Sequence, residues 1–459
     1  MTPLKYSAED LGFDPSEVSI NAMEVVEKLQ QKGYEGYLVG GCVRDMILGL
    51  HPKDFDVTTN ARPEQVKSLF GRSRIIGRRF KIVHVTFGRS RRTEREIIEV
   101  ATYRAKAYPD LVTNKKGRKK ATVSDSGRLL DDNVYGTLDQ DVERRDFTVN
   151  ALYYDPVNDV VLDYYGGVEH LKRKELHIIG DTATRFSEDP VRMLRAVRFK
   201  AKLNLTTSKT MDREIRDCAS HLGDVPAARL FDEVIKLFHH GVALDTWKVL
   251  FATPLGKLLF PLSIRAISGE GGHRFEELIV RALKNTDSRI NNDLPVMAGY
   301  LYAVLLWKPF VIDVEKKVEQ GMRRNEAMWA ASEAVFKQQN KTISIPWRVR
   351  SPATEIWDLQ PRLEKRIPRS IEKLLENRRF RAAYDFLELR SLVGEVDSEI
   401  VEWWTEIQKA DVAQQKKMVD VLRGQTGASN SRSRSRNRNR NRRRNSSKNA
   451  SGSSKISQS

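Results

Sequence analysis

Leu38-Val39-Gly40-Gly41-Cys42-Val43-Arg44-Asp45, followed eight residues later by Lys53-Asp54-Phe55-Asp56-Val57, is the stretch that decides how this chain folds. Its first half predicts a short strand, Tyr37 to Val39, ending at Gly40-Gly41. A helix from Val43 to Leu48 follows and closes at Gly49. Two glycines between a strand and a helix let a ligand approach the backbone closely. The N–H groups of a helix start favour phosphate, and Arg44 adds a fork of donors. The second half predicts a strand over His51 to Thr58. Alternate side chains of a strand share a face, so Asp54 and Asp56 point one way while Phe55 and Val57 point to the core. Two neighbouring carboxylates repel each other. A divalent cation removes that penalty, and Mg²⁺ prefers carboxylates together with substrate phosphates. Alone, the glycine pair reads as a tight turn and the aspartates as an exposed strand face. In this order they describe a phosphate cradle ahead of a metal-binding pair.

Outward from this stretch, Asn21 to Lys32 has helical spacing (Met23, Val26, Leu29) and Gly33 stops it. Pro63 opens another helix through Phe70. Phe80 to Phe87 and Ile97 to Thr102 predict strands rich in β-branched residues, with a last strand near Val160–Tyr164. From Asp189 to about Ala410 helices dominate. Glu99, alone in an apolar strand, belongs either at a sheet edge or on a metal. Arg144-Arg145-Asp146-Phe147 places an acid after two bases, which also describes a salt-bridged turn. The longest uncharged apolar stretch, Leu294 to Trp307, has 14 residues. A bilayer span needs about 20, so it reads as a buried helix and not as a transmembrane segment. Residues 1–20 read as a loosely attached leader without a secretory signal.

The chain has 459 residues, 40% of them hydrophobic, which is enough for a sizeable core and excludes a wholly disordered protein. Two cysteines, Cys42 and Cys218, exclude a disulfide scaffold and suit a reducing compartment. The net charge of +18 is concentrated: residues 423–459 carry +11 and residues 104–128 carry +6, which leaves +1 for all the rest. A nearly neutral body with concentrated basic segments points to a polyanion partner. The tail, SRSRSRNRNRNRRRN, is low in complexity and is expected to be disordered. Its Arg432, Arg434, Arg436, Arg438, Arg440 and Arg442 are candidate RNA contacts, acting through phosphates with strong salt dependence. Residues 104–128 read as a mobile basic loop.

Three spaced motifs, LVGGCVRDMILG-x₄-DFD, RRDFTVNAL and EDPVRMLRAVRF, resemble in that order the class II nucleotidyltransferases, the bacterial poly(A) polymerases and CCA-adding enzymes. The resemblance is strong over about residues 21–260. GRRFKIVHVTFG (77–88), RLFDEVIKLF (229–238), FRAAYDFLELR (380–390) and the basic tail are similar to bacterial poly(A) polymerase in particular, and carry the likeness to residue 405. The resemblance implies two-metal chemistry with Mg²⁺ or Mn²⁺ and with ATP as substrate. Asp54 and Asp56 match its metal-binding carboxylates. Asp146 matches the acid of the RRDF motif and is assigned to the active site, with Glu99 competing as third ligand. Gly40, Gly41, Arg44, Arg145, Asp189, Arg192 and Arg195 form the implied nucleotide-binding set. Glu188-Asp189-Pro190-Val191-Arg192 matches the nucleotide-recognition motif, with Ser187 as its expected N-cap. Asp189 and Arg192 are three apart and are expected on one helix face. In the family such a pair reads a base edge, and adenine and cytosine present the same edge, so it does not separate ATP from CTP. Arg195 and Arg198 continue that face. Cys42 stands where glycine or alanine is frequent, RSRRTER (89–95) lengthens a hairpin, and Asp163 to Leu171 departs from D-x-x-G-G-x-x-D-L through Glu169 and His170. Trp403 and Trp404 with Arg390 read as packing of a terminal helix in preference to stacking on RNA, and His84 as structural.

The expected fold is therefore an α/β polymerase-β-like nucleotidyltransferase head followed by all-α neck, body and distal domains and a disordered basic tail. The boundaries drawn are 1–20 leader, 21–155 head, 156–250 neck, 251–422 helical body and C-terminal RNA-binding domain, and 423–459 tail. The expected activity is template-independent addition of AMP to RNA 3′ ends in the cytoplasm, marking mRNA and other RNAs for decay, with RNA-decay proteins as further partners. The rivals are a CCA-adding tRNA nucleotidyltransferase, and a non-catalytic RNA-binding protein with a dead head. Intact Asp54, Asp56 and Gly40-Gly41 weigh against the latter.

Overall fold

The computed structural model describes residues 1–77, 81–88, 95–105 and 134–424. The basic loop expected within 104–128, the RSRRTER insertion and the Arg-rich tail lie largely or wholly outside these residues. The chain forms two compact units. The first comprises Met1–Ile264 together with Thr286–Leu294 and Gln338–Ser344.

The first unit is built on an eight-stranded mixed sheet. Its strands are β1 (Leu4–Tyr6), β2 (Gly36–Val39), β3 (Asp56–Thr59), β4 (Ser73–Ile76), β5 (Ile82–Phe87), β6 (Glu96–Thr102), β7 (Leu152–Asp155) and β8 (Val160–Asp163), in the spatial order β1-β8-β7-β2-β3-β6-β5-β4. Only β3 and β6 run parallel; every other neighbouring pair is antiparallel. On β5 and β6 the alternation is plain: Val83, Val85, Ile98 and Val100 are buried. Helix α1 (Ile20–Gln31) buries Ala22, Val25, Val26 and Leu29, the stripe its spacing demands, and Ser19 caps it.

Three expectations change. Strand β3 begins at Asp56, not His51, so Asp54 sits in the loop just before it. The alternation survives, with Phe55 and Val57 buried between open aspartates. The opening residues are not loosely attached: β1 pairs with β8 at the edge of the sheet, and Phe13 meets Tyr154 edge to face at 5.2 Å. A partner strand more than 150 residues away leaves no local signal. Strands β4 and β7 are also additions. Leu152, Tyr153 and Tyr154 are all buried, so β7 lacks the two-residue period by which a half-exposed strand is read.

Helices α2 (Gly41–Ile47), α3 (Pro63–Leu69) and α4 (Leu138–Arg144) belong to the sheet region. Helices α5 (Thr182–Glu188), α6 (Val191–Lys202) and α7 (Ala227–Phe238) follow it within the same unit. The second unit, as described, is helical. Its helices include α8 (Ala298–Leu305), α9 (Trp347–Lys365), α10 (Phe380–Leu392) and α11 (Ser398–Lys409). The expected buried helix over Leu294–Trp307 is the shorter α8. Trp357 fills this unit's core, stacked on Phe310 at 4.3 Å, and its indole N–H donates to Ala303 O at 3.0 Å. Trp404 is fully buried and donates to Leu363 O at 2.9 Å. Arg390 is enclosed by Glu364, Glu395 and Gln360. The Trp404–Arg390 region is therefore core, as its packing alternative held. Among the described residues no helix is long and apolar enough to cross a membrane.

Candidate active site

Strand β2 delivers the chain to Gly40, whose φ of +80° and ψ of −121° suit glycine alone. The turn launches α2 and sets Arg44 inward. Arg44 Nη1 donates to Asn150 Oδ1 at 2.5 Å, and its Nε and Nη2 both reach Asp45 Oδ1. Asp54 and Asp56 open onto a cleft of about 660 Å³ that Gly40, Gly41 and Arg44 also line. The strand register puts Asp56 beside Glu99 and Glu99 beside His84, and both line the same cleft. Crowding by surrounding protein pushes the Asp56 carboxyl up to about 6, and the like charges of Glu99 and Asp54 push the same way against Arg145.

The other side of the cleft is cationic. Arg145 donates through Nε to the Tyr153 hydroxyl at 2.6 Å and through Nη2 to Asp141 at 3.1 Å, with its guanidinium over the Tyr153 ring. Asp146 accepts from Arg195 Nε at 2.5 Å, from Phe147 N at 2.8 Å and from Asn150 Nδ2 at 3.3 Å. Burial acts to raise its carboxyl, but the Arg195 charge and these donors outweigh it and hold it at about 2. Asp146 is thus an anchor for Arg195 that stays ionised at neutral pH. Three donors engage the Asp146 carboxylate, while Glu99 lies in register with Asp56 on the neighbouring strand. The guanidinium groups of Arg44, Arg195 and Arg198 all lie 5.1–5.5 Å from the centre of the Phe199 ring. Burial and then Arg195 draw Arg198 down to about 10, while burial, Arg198 and Lys202 press His240 down to about 4. Both Lys202 and His240 line the cleft, as does Lys236.

Asp189 and Arg192 do not lie on one helix face. Asp189 sits in the break between α5 and α6, extended at φ −147°, ψ 91°. The following Pro190 disfavours the helical region for it, and both its oxygens accept from Arg229 at 2.8 Å. Arg192 donates to Arg185 O and to Glu188, and neither Asp189 nor Arg192 is among the residues lining the cleft. Ser187 is not an N-cap: it lies inside α5, with its hydroxyl on Ala183 O. Cys42 is buried, its thiol pushed up to about 11 by burial, and is no nucleophile. The structure thus gathers Gly40, Gly41, Arg44, Asp54, Asp56, Glu99, Arg145, Asp146 and Arg195, and leaves out Asp189 and Arg192. It adds Asn150, Phe199, Lys202, Lys236 and His240. Asn150 lay within the RRDFTVNAL motif. Lys236 lies in the last turn of α7 and His240 just past its end.

Acidic strands facing a cationic helical wall suit a cation-bearing triphosphate, the substrate of a nucleotidyltransferase. Residues 36–177 match the poly A polymerase head domain. Residues 204–266 match a segment described as the "probable RNA and SrmB-binding site of polymerase A", and residues 320–445 the arginine-rich C-terminus of polymerase A. Poly(A) polymerase I of Haemophilus influenzae is 40% identical over 415 residues, spanning 90% of this chain and 89% of that one. Poly(A) polymerase I of Escherichia coli O6:H1 is 42% identical over 421 residues, spanning 90% and 88%. The CCA-adding enzyme of Lactobacillus helveticus is 36% identical over 222 residues, 48% of this chain and 50% of that one. The chain belongs to the poly(A) polymerase family. In fold it is similar to the CCA-adding enzyme of Bacillus stearothermophilus in complex with CTP, with a TM-score of 0.51 and 24% identity over 87% of this chain and 90% of that one.

Proposed function

We propose that this enzyme, a template-independent poly(A) polymerase, transfers AMP from ATP to RNA 3′-hydroxyls in the cleft between the Asp54–Asp56 corner and the α6–α7 wall. The observation that carries the site is the opposition of these charges: Asp54, Asp56 and Glu99 line the cleft opposite Arg44, Arg195, Arg198 and Lys202, and like charges press on one another on each side. A divalent cation and a polyphosphate relieve both at once. The donor set fits such a cation. Asp54 and Asp56 offer carboxylate oxygens, which suit Mg²⁺ or Mn²⁺. Among the described residues no group of three or more His, Cys, Asp or Glu is arranged to hold a metal by itself, so phosphate oxygens of the substrate complete the shell. When bound, the cation supplies stabilisation of charge on the reacting phosphate and lowers the pKa of the attacking hydroxyl. Arg44 and the Gly40-Gly41 turn orient the polyphosphate. Arg195, fixed by Asp146, and Arg198 hold its negative charge as pyrophosphate departs.

In this reading the head takes in β1 and β8 together with residues 21–155, the rest of 156–250 forms the neck, and 251–422 the body. The 204–266 segment is where RNA, and a partner from RNA decay, would meet the neck. The tail arginines, Arg432 to Arg442, retain RNA through phosphate. RNA substrates and two unpaired cysteines fit a cytoplasmic enzyme whose product is marked for decay. Asp189 and Arg192 enter base recognition only if the Arg229 pairing is exchanged on nucleotide binding.

The test is extension of a radiolabelled generic RNA oligonucleotide with Mg²⁺, comparing ATP alone with CTP alone, beside a tRNA lacking its 3′ CCA. A long ladder with ATP on the generic RNA is expected. Addition limited to three nucleotides, and only on the tRNA, would install the CCA-adding alternative.

A further inference from the structure

Three side chains stand in a row across β3, β6 and β5: Asp56, Glu99 and His84. His84 Nε2 lies 3.0 Å from Glu99 Oε1. A carboxylate only accepts, so Nε2 carries the proton and donates it. Glu99 has three rotatable side-chain bonds and is half exposed, at 50%, whereas the His84 side chain is 19% exposed. Among the described residues His84 is the hydrogen-bond partner of Glu99. The ring has two torsions and sits on a strand paired on both sides, by β4 and β6. It therefore restrains the more mobile carboxylate, which stands beside Asp56 in the strand register.

We propose that His84 is a positioning residue that holds the Glu99 carboxylate beside Asp56, completing the negative corner that receives the divalent cation. This rests on the reading of Asp54 and Asp56 as the cation-binding pair. Without His84 the carboxylate is free to turn toward solvent, and the cation loses a nearby negative charge. Partners of this kind, one contact removed from the metal, commonly govern affinity by about 10- to 100-fold. His84 touches neither nucleotide nor RNA in this role.

The experiment is a titration of the full chain with Mn²⁺ in the presence of an ATP analogue blocked at the α–β bridge, reading free Mn²⁺ by electron paramagnetic resonance. His84→Val, which keeps a strand-forming side chain, is expected to bind Mn²⁺ about 10-fold more weakly. His84→Gln, which returns an N–H donor near the position of Nε2, recovers most of that loss. Glu99→Gln weakens binding to a similar extent. The combined His84→Val/Glu99→Gln chain is no weaker than Glu99→Gln alone, because the two act as one unit. A folded His84→Val chain with unaltered Mn²⁺ affinity, or losses that add in the double variant, overturns the proposal. Should His84→Val lose its cooperative thermal transition, Glu99→Gln decides alone, and unchanged Mn²⁺ affinity there overturns it equally. Asp56→Asn separates the two levels: if it binds Mn²⁺ like the unaltered chain, the underlying reading of the corner fails and not the role of His84.

Discussion

Asp56 and Asp146 line the same cleft, yet their surroundings drive them in opposite directions. Crowding by the surrounding protein, then Glu99 and Asp54, lift Asp56 to about 6, so its ionised form opposes folding until a cation arrives. Asp56→Asn is therefore expected to cut AMP transfer by about 10³-fold or more while raising the melting temperature of the metal-free chain; calorimetry beside a transfer assay checks both. Asp146 lies below its ordinary 3.8, at about 2, because Arg195 and the Phe147 N–H overcome the effect of burial. Its contribution is complete above about pH 4 and is lost as pH falls through 2. The gap corresponds to about 2 kcal/mol. Asp146→Asn should flatten the decline of stability between pH 4 and pH 2, measured by urea unfolding at each pH; an unchanged slope would contradict the anchoring role. At this scale the sequence was informative wherever one short segment carries the chemistry. Gly40-Gly41, Arg44, Asp54 and Asp56 lie within 17 residues of one another. What Asp146 does depends on Arg195, which lies 49 residues further on, and no local pattern states it.

Elements were legible in proportion to how one-sided their burial is. Helix α1 shows its stripe openly, and β5 and β6 alternate. Strand β7 is enclosed on both faces and shows no period. The α5–α6 break was misread because Ser187 and Pro190 look like the start of one helix. The residue before a proline is pushed into extended geometry, so Asp189 turns out of line and meets Arg229. Packing alternatives were correctly preferred for Trp404. Its full burial and its bond to Leu363 O give a definite expectation: Trp404→Ala should cost about 3–5 kcal/mol, read as a lowered urea midpoint. A loss under 1 kcal/mol would mean that the α9–α11 packing tolerates the cavity.

Over the whole molecule, charge is partitioned more sharply than fold. The segments 104–128 and 423–459 hold nearly all the excess, while the cleft sets four carboxylates against six Lys and Arg side chains. Ending the chain at residue 424 should leave single AMP addition to a saturating short primer close to normal. It should weaken binding to long RNA and flatten the dependence of log affinity on log salt; fluorescence anisotropy at several salt concentrations reads the slope. An unchanged slope would remove the tail from RNA retention. The fold class was readable because the head motifs are compact. The cationic wall was not, since Lys236 and His240 come to line the cleft with Asp56 only once the neck helices have folded.

Strand β1 pairs with β8, so Leu4–Tyr6 has no partner until Asp163 has been made. At about 5–20 residues per second that is a wait on the order of ten to thirty seconds. During it the β2, β3, β6, β5 and β4 ribbon is available to assemble, while the β8 edge does not yet exist. Leu4–Tyr6 is thus the closing piece of the sheet. A nascent chain arrested before residue 160 should leave Leu4–Tyr6 open to protease, and release of the full-length chain should protect it.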